Sequence, residues 1–174
     1  MWKNKAALLV RNPLAQKVMR LVIKLVVPRS RVGVAVVAVN AAAEVFMVRH
    51  VFHPVYEWGL PGGWLNRNEA PDVGALRELR EETGLTAVLG PAVAVQHDPV
   101  TAYIGISYVA TLQPGTLQLS HELTKARWFA HEALPQPITD HTRIAIDAAV
   151  AYHKKTASRK SGCPELGLGE AKQA

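Results

Sequence analysis

Apolar and polar positions alternate along this chain with two distinct periods. From residue 14 to 27, Leu14, Val18, Leu21, Val22 and Leu25 share one side, and Gln16, Lys17, Arg20 and Lys24 the other. That spacing predicts a basic amphipathic helix, and Pro28 ends it. Val32 to Val39 and Glu44 to Val51 are nearly continuous β-branched runs, joined by Asn40 and three alanines. They predict two strands paired with each other. Residues 86–97 and 101–112 carry further β-rich patterns on either side of His97-Asp98-Pro99, and Ala126 to Phe129 predicts another strand after the turn at Pro114-Gly115. Thr139 or Asp140 caps a last predicted helix running to about Tyr152, with Ile144, Ala148 and Tyr152 on one face. From Thr156 onward the Ser, Gly, Pro and Lys content predicts a disordered tail.

A third helix is predicted between the turn Pro61-Gly62-Gly63 and Gly84. Pro71 suits a first helical position, because its missing N–H would have no partner there. Asp72 complements the positive end of the helix dipole, and Gly84 is placed to take the left-handed conformation that closes a helix. At about 100° per residue, Leu76, Leu79 and Thr83 fall on one side and Glu78, Glu81 and Glu82 on the other. Three carboxylates at such spacing repel one another. A divalent cation would turn that repulsion into chelation, and hard oxygen donors suit Mg²⁺ or Mn²⁺. A solvated acidic face remains the alternative on charge pattern alone. Ala70 caps this helix poorly, at a usual cost of about 1 kcal/mol. Gly74 within it costs roughly another 1 kcal/mol relative to Ala.

Gly63, Glu69, Arg77-Glu78-Leu79, Glu81-Glu82 and Gly84-Leu85 hold nine positions at set spacing over 23 residues. This resembles the Nudix box, with every fixed position filled. The resemblance implies an α/β (α+β) fold, a mixed β-sheet sandwiched between α-helices. It implies a domain over 32–155, preceded by the basic helical extension 1–31 and followed by the tail 156–174. It also implies hydrolysis of a nucleoside diphosphate linked to another group, with Mg²⁺ (or Mn²⁺) as cofactor and a small-molecule nucleotide as substrate. On this reading Glu78 and Glu82 ligate the metal, and Glu81 joins directly or through water. A backbone carbonyl of Gly62 or Gly63 completes the set, and Arg77 pairs with Glu69 to hold a carboxylate in place. The water-activating base is a box glutamate or Glu122, which precedes the Trp-Phe strand. Arg49, Tyr56 and Trp58 are the substrate-binding candidates, the two aromatics stacking on a base or else covering the sheet.

Composition narrows the partners. With 174 residues, 49% hydrophobic and 20% charged, the chain suits one buried domain. The lone Cys163 excludes an intrachain disulfide framework and fits a reducing, cytoplasmic setting. The net charge of +6 belongs to the ends: residues 1–31 hold eight basic and no acidic residues, whereas 32–151 hold seven basic and twelve acidic. An acidic central domain argues against a specific nucleic-acid partner. The helix at 14–27 is too charged to span a bilayer. Docking on its own domain or on a second copy, as a homodimer, is favoured over membrane-surface contact.

Several residues read as bystanders. His50 and His53 have metal-ligand spacing but no third ligand nearby, and read as a polar loop at a pocket mouth. Ser107 lacks the glycine that would complete a nucleophile elbow and reads as structural, and Trp64 reads as core. Pro99 and Tyr103 both stand where family members carry substrate-sorting residues, and they point different ways. Nucleotide sugars or ADP-ribose are slightly favoured over triphosphates. A non-catalytic nucleotide-sensing or protein-binding module is the alternative, opposed by the retained glutamates.

Overall fold

The computed structural model describes residues 12–26, 30–98 and 102–161. The chain divides into two compact units, Met1–Ser30 and Arg31–Ala174. In the first, helix α1 (Pro13–Val26) begins where the Asn12 side chain accepts the Leu14 N–H at 2.9 Å, a side-chain cap with Pro at the first helical position. Leu14, Val18, Leu21 and Val22 are exposed; the side chains of Lys24 and Leu25 lie outside the described residues. No helix among the described residues is long and apolar enough to cross a membrane.

The second unit runs β1 (Arg31–Ala38), β2 (Val45–His50), β3 (Trp58–Gly59), β4 (Gly62–Trp64), α2 (Pro71–Thr83), β5 (Ala87–Asp98), β6 (Tyr103–Leu112), β7 (Leu123–Phe129), a 3-10 turn (His131–Ala133) and α3 (Asp140–Ser161). Its strands form two sheets, ordered β4-β1-β6-β5 and β3-β2-β7. The first is mixed: β1 runs parallel to β6 and antiparallel to β4. This is the expected α+β architecture with a different pairing. β1 and β2 do not form a hairpin; they meet only in an isolated bridge, Val39 to Val45. The Asn40 side chain instead folds the connection, accepting the N–H groups of Ala42 and Glu44. An apolar run such as β1 is a central strand covered on both faces, and such strands take partners distant in sequence.

Alternation along β1 builds two cores. Val34 and Val36 pack with Ala75 and Leu79 of α2. Val37 joins Val45 and Met47 of β2 and Ile146 and Ala149 of α3. Burying a side chain such as Leu79 stabilises by about 1.5–3 kcal/mol. α3 extends to Ser161, past both Tyr152 and the expected start of a disordered tail at Thr156. Lys154, Lys155, Ala157, Arg159 and Lys160 are good helix formers, and the basic residues suit a helix C-terminus. Residues 162–174 lie outside the described residues.

Candidate active site

Helix α2 begins without a side-chain cap at Ala70, carries Pro71 in its first turn and closes on Gly84, whose φ is 71° and whose N–H donates to Arg80 O. Its division into faces differs from the sequence expectation. The buried residues are Gly74, Ala75, Leu79, Glu82 and Thr83, while Leu76 is only partly covered. The buried arc is therefore rotated toward the acidic side, and it takes in Glu82. Gly74 is also more than a helix penalty: a Cβ there would collide with Leu65 Cδ2, so glycine allows the box loop to lie on the helix.

The glycines of β4 meet the carboxylates. Gly62 N–H donates to Glu82 Oε2 at 2.9 Å. A Cβ on Gly63 would stand 2.5 Å from Glu78 Cδ and 2.6 Å from both its oxygens. Glu82 is only 7% exposed, and its pKa is pushed up to about 7. Burial is the main cause, Glu78 and Glu122 add to it, and the Gly62 amide opposes it.

Arg77 organises the other acids. Its Nε and Nη2 donate to the two Glu69 oxygens, at 2.8 and 2.9 Å. Its Nη1 donates to Glu78 Oε1 at 2.8 Å and to Glu81 Oε2 at 3.1 Å, and Nη2 also reaches Trp64 O at 3.1 Å. Glu69 in turn accepts the Asn66 N–H, and its pKa falls to about 2, chiefly through the Arg77 bonds. The expected Arg77–Glu69 pair is thus present, and it ties the loop before α2 to the helix.

Glu78, Glu82, Gly62 and Gly63 open on a cavity of about 610 Å³, which Glu122, His50, His53, Tyr56 and Trp58 also line. That volume suits a nucleotide-sized ligand. Burial, then His53, holds the His50 pKa below its ordinary value, against the pull of Glu122. Trp58 stands edge-on to Phe129, centroids 4.9 Å apart, so it covers the sheet as well as facing the cavity. Arg49 is not part of the wall; it pairs with Glu57. Glu81, mostly exposed and held by Arg77, does not line the cavity either. Trp64 corrects the core expectation: it is 51% exposed, lines the cavity and stands edge-on to Tyr103 at 5.4 Å.

Among the described residues, no three His, Cys, Asp or Glu side chains form a ready metal cluster; Glu78 and Glu81 are both hydrogen-bonded to Arg77. Donor chemistry nevertheless fits a divalent cation. Glu78 and Glu82 present hard oxygens beside two side-chain-free residues, and a bound ion would offset both the burial of Glu82 and, to a lesser degree, its repulsion by Glu78.

The model of the NUDIX domain matches residues 29–149. The chain belongs to the NUDIX family. Among Nudix relatives, an ADP-ribose pyrophosphatase of Methanocaldococcus jannaschii is 30% identical over 94 residues, 52% of this chain and 56% of that protein. An RNA pyrophosphohydrolase of Caulobacter vibrioides is 40% identical over 62 residues, 35% of this chain and 36% of the relative. This chain thus spans 56% of the length of the first relative and little over a third of the second. In fold it is similar to a MutT NUDIX hydrolase from Burkholderia pseudomallei, with 27% identity and a TM-score of 0.60, covering 70% of this chain and 98% of the other. Nudix hydrolases as a family use divalent metal ions.

Tyr103, flagged at a substrate-sorting position, lines the cavity, and sequence reasoning missed the rest of this wall: Gln96, Ser107, Thr139, His141 and Thr142. The period of two along β6 puts Tyr103, Gly105 and Ser107 on one face, a signal available in the sequence once the strand is recognised.

Proposed function

We propose that this Nudix chain is a Mg²⁺-dependent hydrolase (Mn²⁺ substituting) that cleaves the diphosphate bridge of a nucleoside diphosphate linked to another moiety. Nucleotide sugars and ADP-ribose are favoured over nucleoside triphosphates. The observation that carries the reading is the convergence of Glu78 and Glu82 on Gly62 and Gly63 at the mouth of a nucleotide-sized cavity.

Glu78 and Glu82 would hold the cation, with Glu81 recruited from Arg77 and a Gly62 or Gly63 carbonyl adding an oxygen. When bound, the ion supplies charge neutralisation for the anionic bridge and Lewis acidity at phosphorus. The chain's residues do the rest. Arg77, clamped by Glu69, fixes where the Glu78 carboxylate points. A box glutamate or Glu122 takes the proton of the attacking water as its oxygen bonds to one phosphorus. The bridging P–O bond breaks, and that oxygen leaves with the electron pair on the second phosphate. The products are a nucleoside monophosphate and a phosphorylated remainder.

The test is a panel of nucleotide sugars, ADP-ribose, dinucleotides and triphosphates, assayed with Mg²⁺, with Mn²⁺ and with chelator. Turnover of a bridged substrate that chelator abolishes is expected. Binding without turnover across the panel would replace the hydrolase by a nucleotide-sensing module.

A further inference from the structure

Helix α1 is the element that the box chemistry leaves without a task. It belongs to the compact unit Met1–Ser30, apart from the unit that carries the box. At about 100° per residue its apolar side chains run from Leu21 and Leu14 at one border, through Val18, Val22 and Val26, to Met19 and Ile23 at the other. That is an arc of about 200°, roughly twice the stripe an ordinary surface helix turns to a core. Each of these side chains is exposed, from 46% at Met19 to 71% at Val26. Exposed apolar residues scattered singly need no partner, but a contiguous surface of them marks a site of interaction.

Charge selects the partner. The other side of α1 presents Gln16, Lys17 and Arg20, all exposed. The helix sequence holds three cations, Lys17, Arg20 and Lys24, and no acid. Residues 1–31 as a whole hold eight basic and no acidic residues. The sequence pattern favours docking on protein, but protein answers only one side of this helix. Packing on its own domain or on a second copy would take a stripe about 100° wide, leave the rest of the arc in water and turn the cations away from the contact. Docking through the cations on an acidic surface would leave the whole arc in water.

A bilayer surface meets both sides at once. Acyl chains take a broad apolar arc, while lysine and arginine stems lie along its border and lift their charges to lipid phosphates. No helix among the described residues is long and apolar enough to cross a membrane, so α1 would lie along the interface rather than span it. We propose that α1 is a membrane-surface helix for bilayers rich in anionic phospholipid, with its apolar arc inward and Lys17 and Arg20 among the headgroups. Because the same chain carries the Nudix box, lipid binding recruits the hydrolytic unit to a membrane surface. The proposal depends neither on the metal nor on the substrate.

Co-sedimentation of the full chain with vesicles tests it. Phosphatidylcholine vesicles containing about one-third phosphatidylglycerol are compared with phosphatidylcholine alone, at about 0.1 M and about 0.5 M salt. The chain should pellet several-fold better with the anionic vesicles, and the higher salt should remove most of that difference. Lys17→Gln with Arg20→Gln should lower the partition coefficient about 25-fold, roughly fivefold for each cation near the surface. Leu21→Asp with Val22→Asp should abolish pelleting while the melting temperature and the mass in solution stay those of the wild type. A wild-type chain left in the supernatant with anionic vesicles overturns the proposal. So does equal pelleting with neutral vesicles, or a Lys17→Gln, Arg20→Gln chain that pellets like the wild type. A melting temperature lowered by Leu21→Asp with Val22→Asp in a chain that does not pellet would assign the arc to its own domain, and a halved mass would assign it to a second copy.

Discussion

The Arg77 guanidinium grips the Glu69 carboxylate with two parallel hydrogen bonds, Nε to Oε1 at 2.8 Å and Nη2 to Oε2 at 2.9 Å. The geometry is the bidentate fork that only arginine provides. The remaining nitrogen, Nη1, holds Glu78 at 2.8 Å. Arg77, which does not line the cavity, therefore orients Glu78, a metal-ligand candidate.

Arg77→Ala should lower activity or metal affinity by about 10–100-fold, the usual effect of losing a ligand's orienting partner. Arg77→Lys keeps the charge but not the fork, and should recover little of that loss. Metal titration followed by kcat and by the melting temperature of the loaded protein checks this. Wild-type metal affinity in Arg77→Lys would show that charge alone suffices.

Glu69 yields a pH prediction. Its pKa lies at about 2 against an ordinary 4.5, through the Arg77 bonds first and the Asn66 amide second. A depressed carboxylate stabilises the fold above its unfolded pKa and loses that contribution as pH falls through the folded value. Part of the chain's stability should therefore drain away between pH 4.5 and about 2. Denaturant unfolding across that range should show a shallower decline in Glu69→Gln. Parallel pH profiles for the two proteins would mean the pair is energetically silent.

The box, its helix and the Arg77–Glu69 clamp were legible because they depend on local spacing. Pro71, Gly84 and the Glu78–Glu82 interval belong to one helix of 13 residues and its cap, where sequence order dictates geometry. Partners brought from afar were not. The apolar run at 32–39 marks a buried strand, but nothing local says that it joins β6 in parallel rather than β2 in a hairpin. Trp64 looked like core because large aromatics usually are; it stands on the edge strand β4, beside Gly33, and lines the cavity instead. Ser107 looked structural for want of an elbow, and only its place between Ala35 and Ala94 shows what it faces.

Glu82 carries a conflict between stability and chemistry. Its raised pKa means that the folded state holds the proton more tightly than the unfolded state. Without metal, stability should fall as pH climbs from 4.5 toward about 7. Glu82→Gln keeps an oxygen to accept the Gly62 N–H but removes the titration. It should be more stable than the metal-free wild type at pH 8, with the difference vanishing near pH 4.5. Turnover should drop by several orders of magnitude, since an amide is a poor ligand for a hard cation. Melting curves at the two pH values, beside a kinetic assay, read both effects. A Glu82→Gln protein of near-normal rate would remove Glu82 from the metal site.

Gly63→Ala isolates geometry from charge. The added Cβ would stand within 2.5–2.6 Å of the Glu78 carboxyl group, closer than any real contact, so one of them must move. Glu78 is the flexible partner, and its carboxylate would be displaced while β4 keeps its place beside Val34. The fold should survive, because what yields is a side-chain end rather than a backbone. Activity should fall on the order of 100-fold, the effect of roughly 1 Å of misplacement at a reacting centre. Because Arg77 also holds Glu78, pairing Gly63→Ala with Arg77→Lys should cost less than the product of the single losses. A fully multiplicative double variant would show that the glycine and the arginine act on different groups.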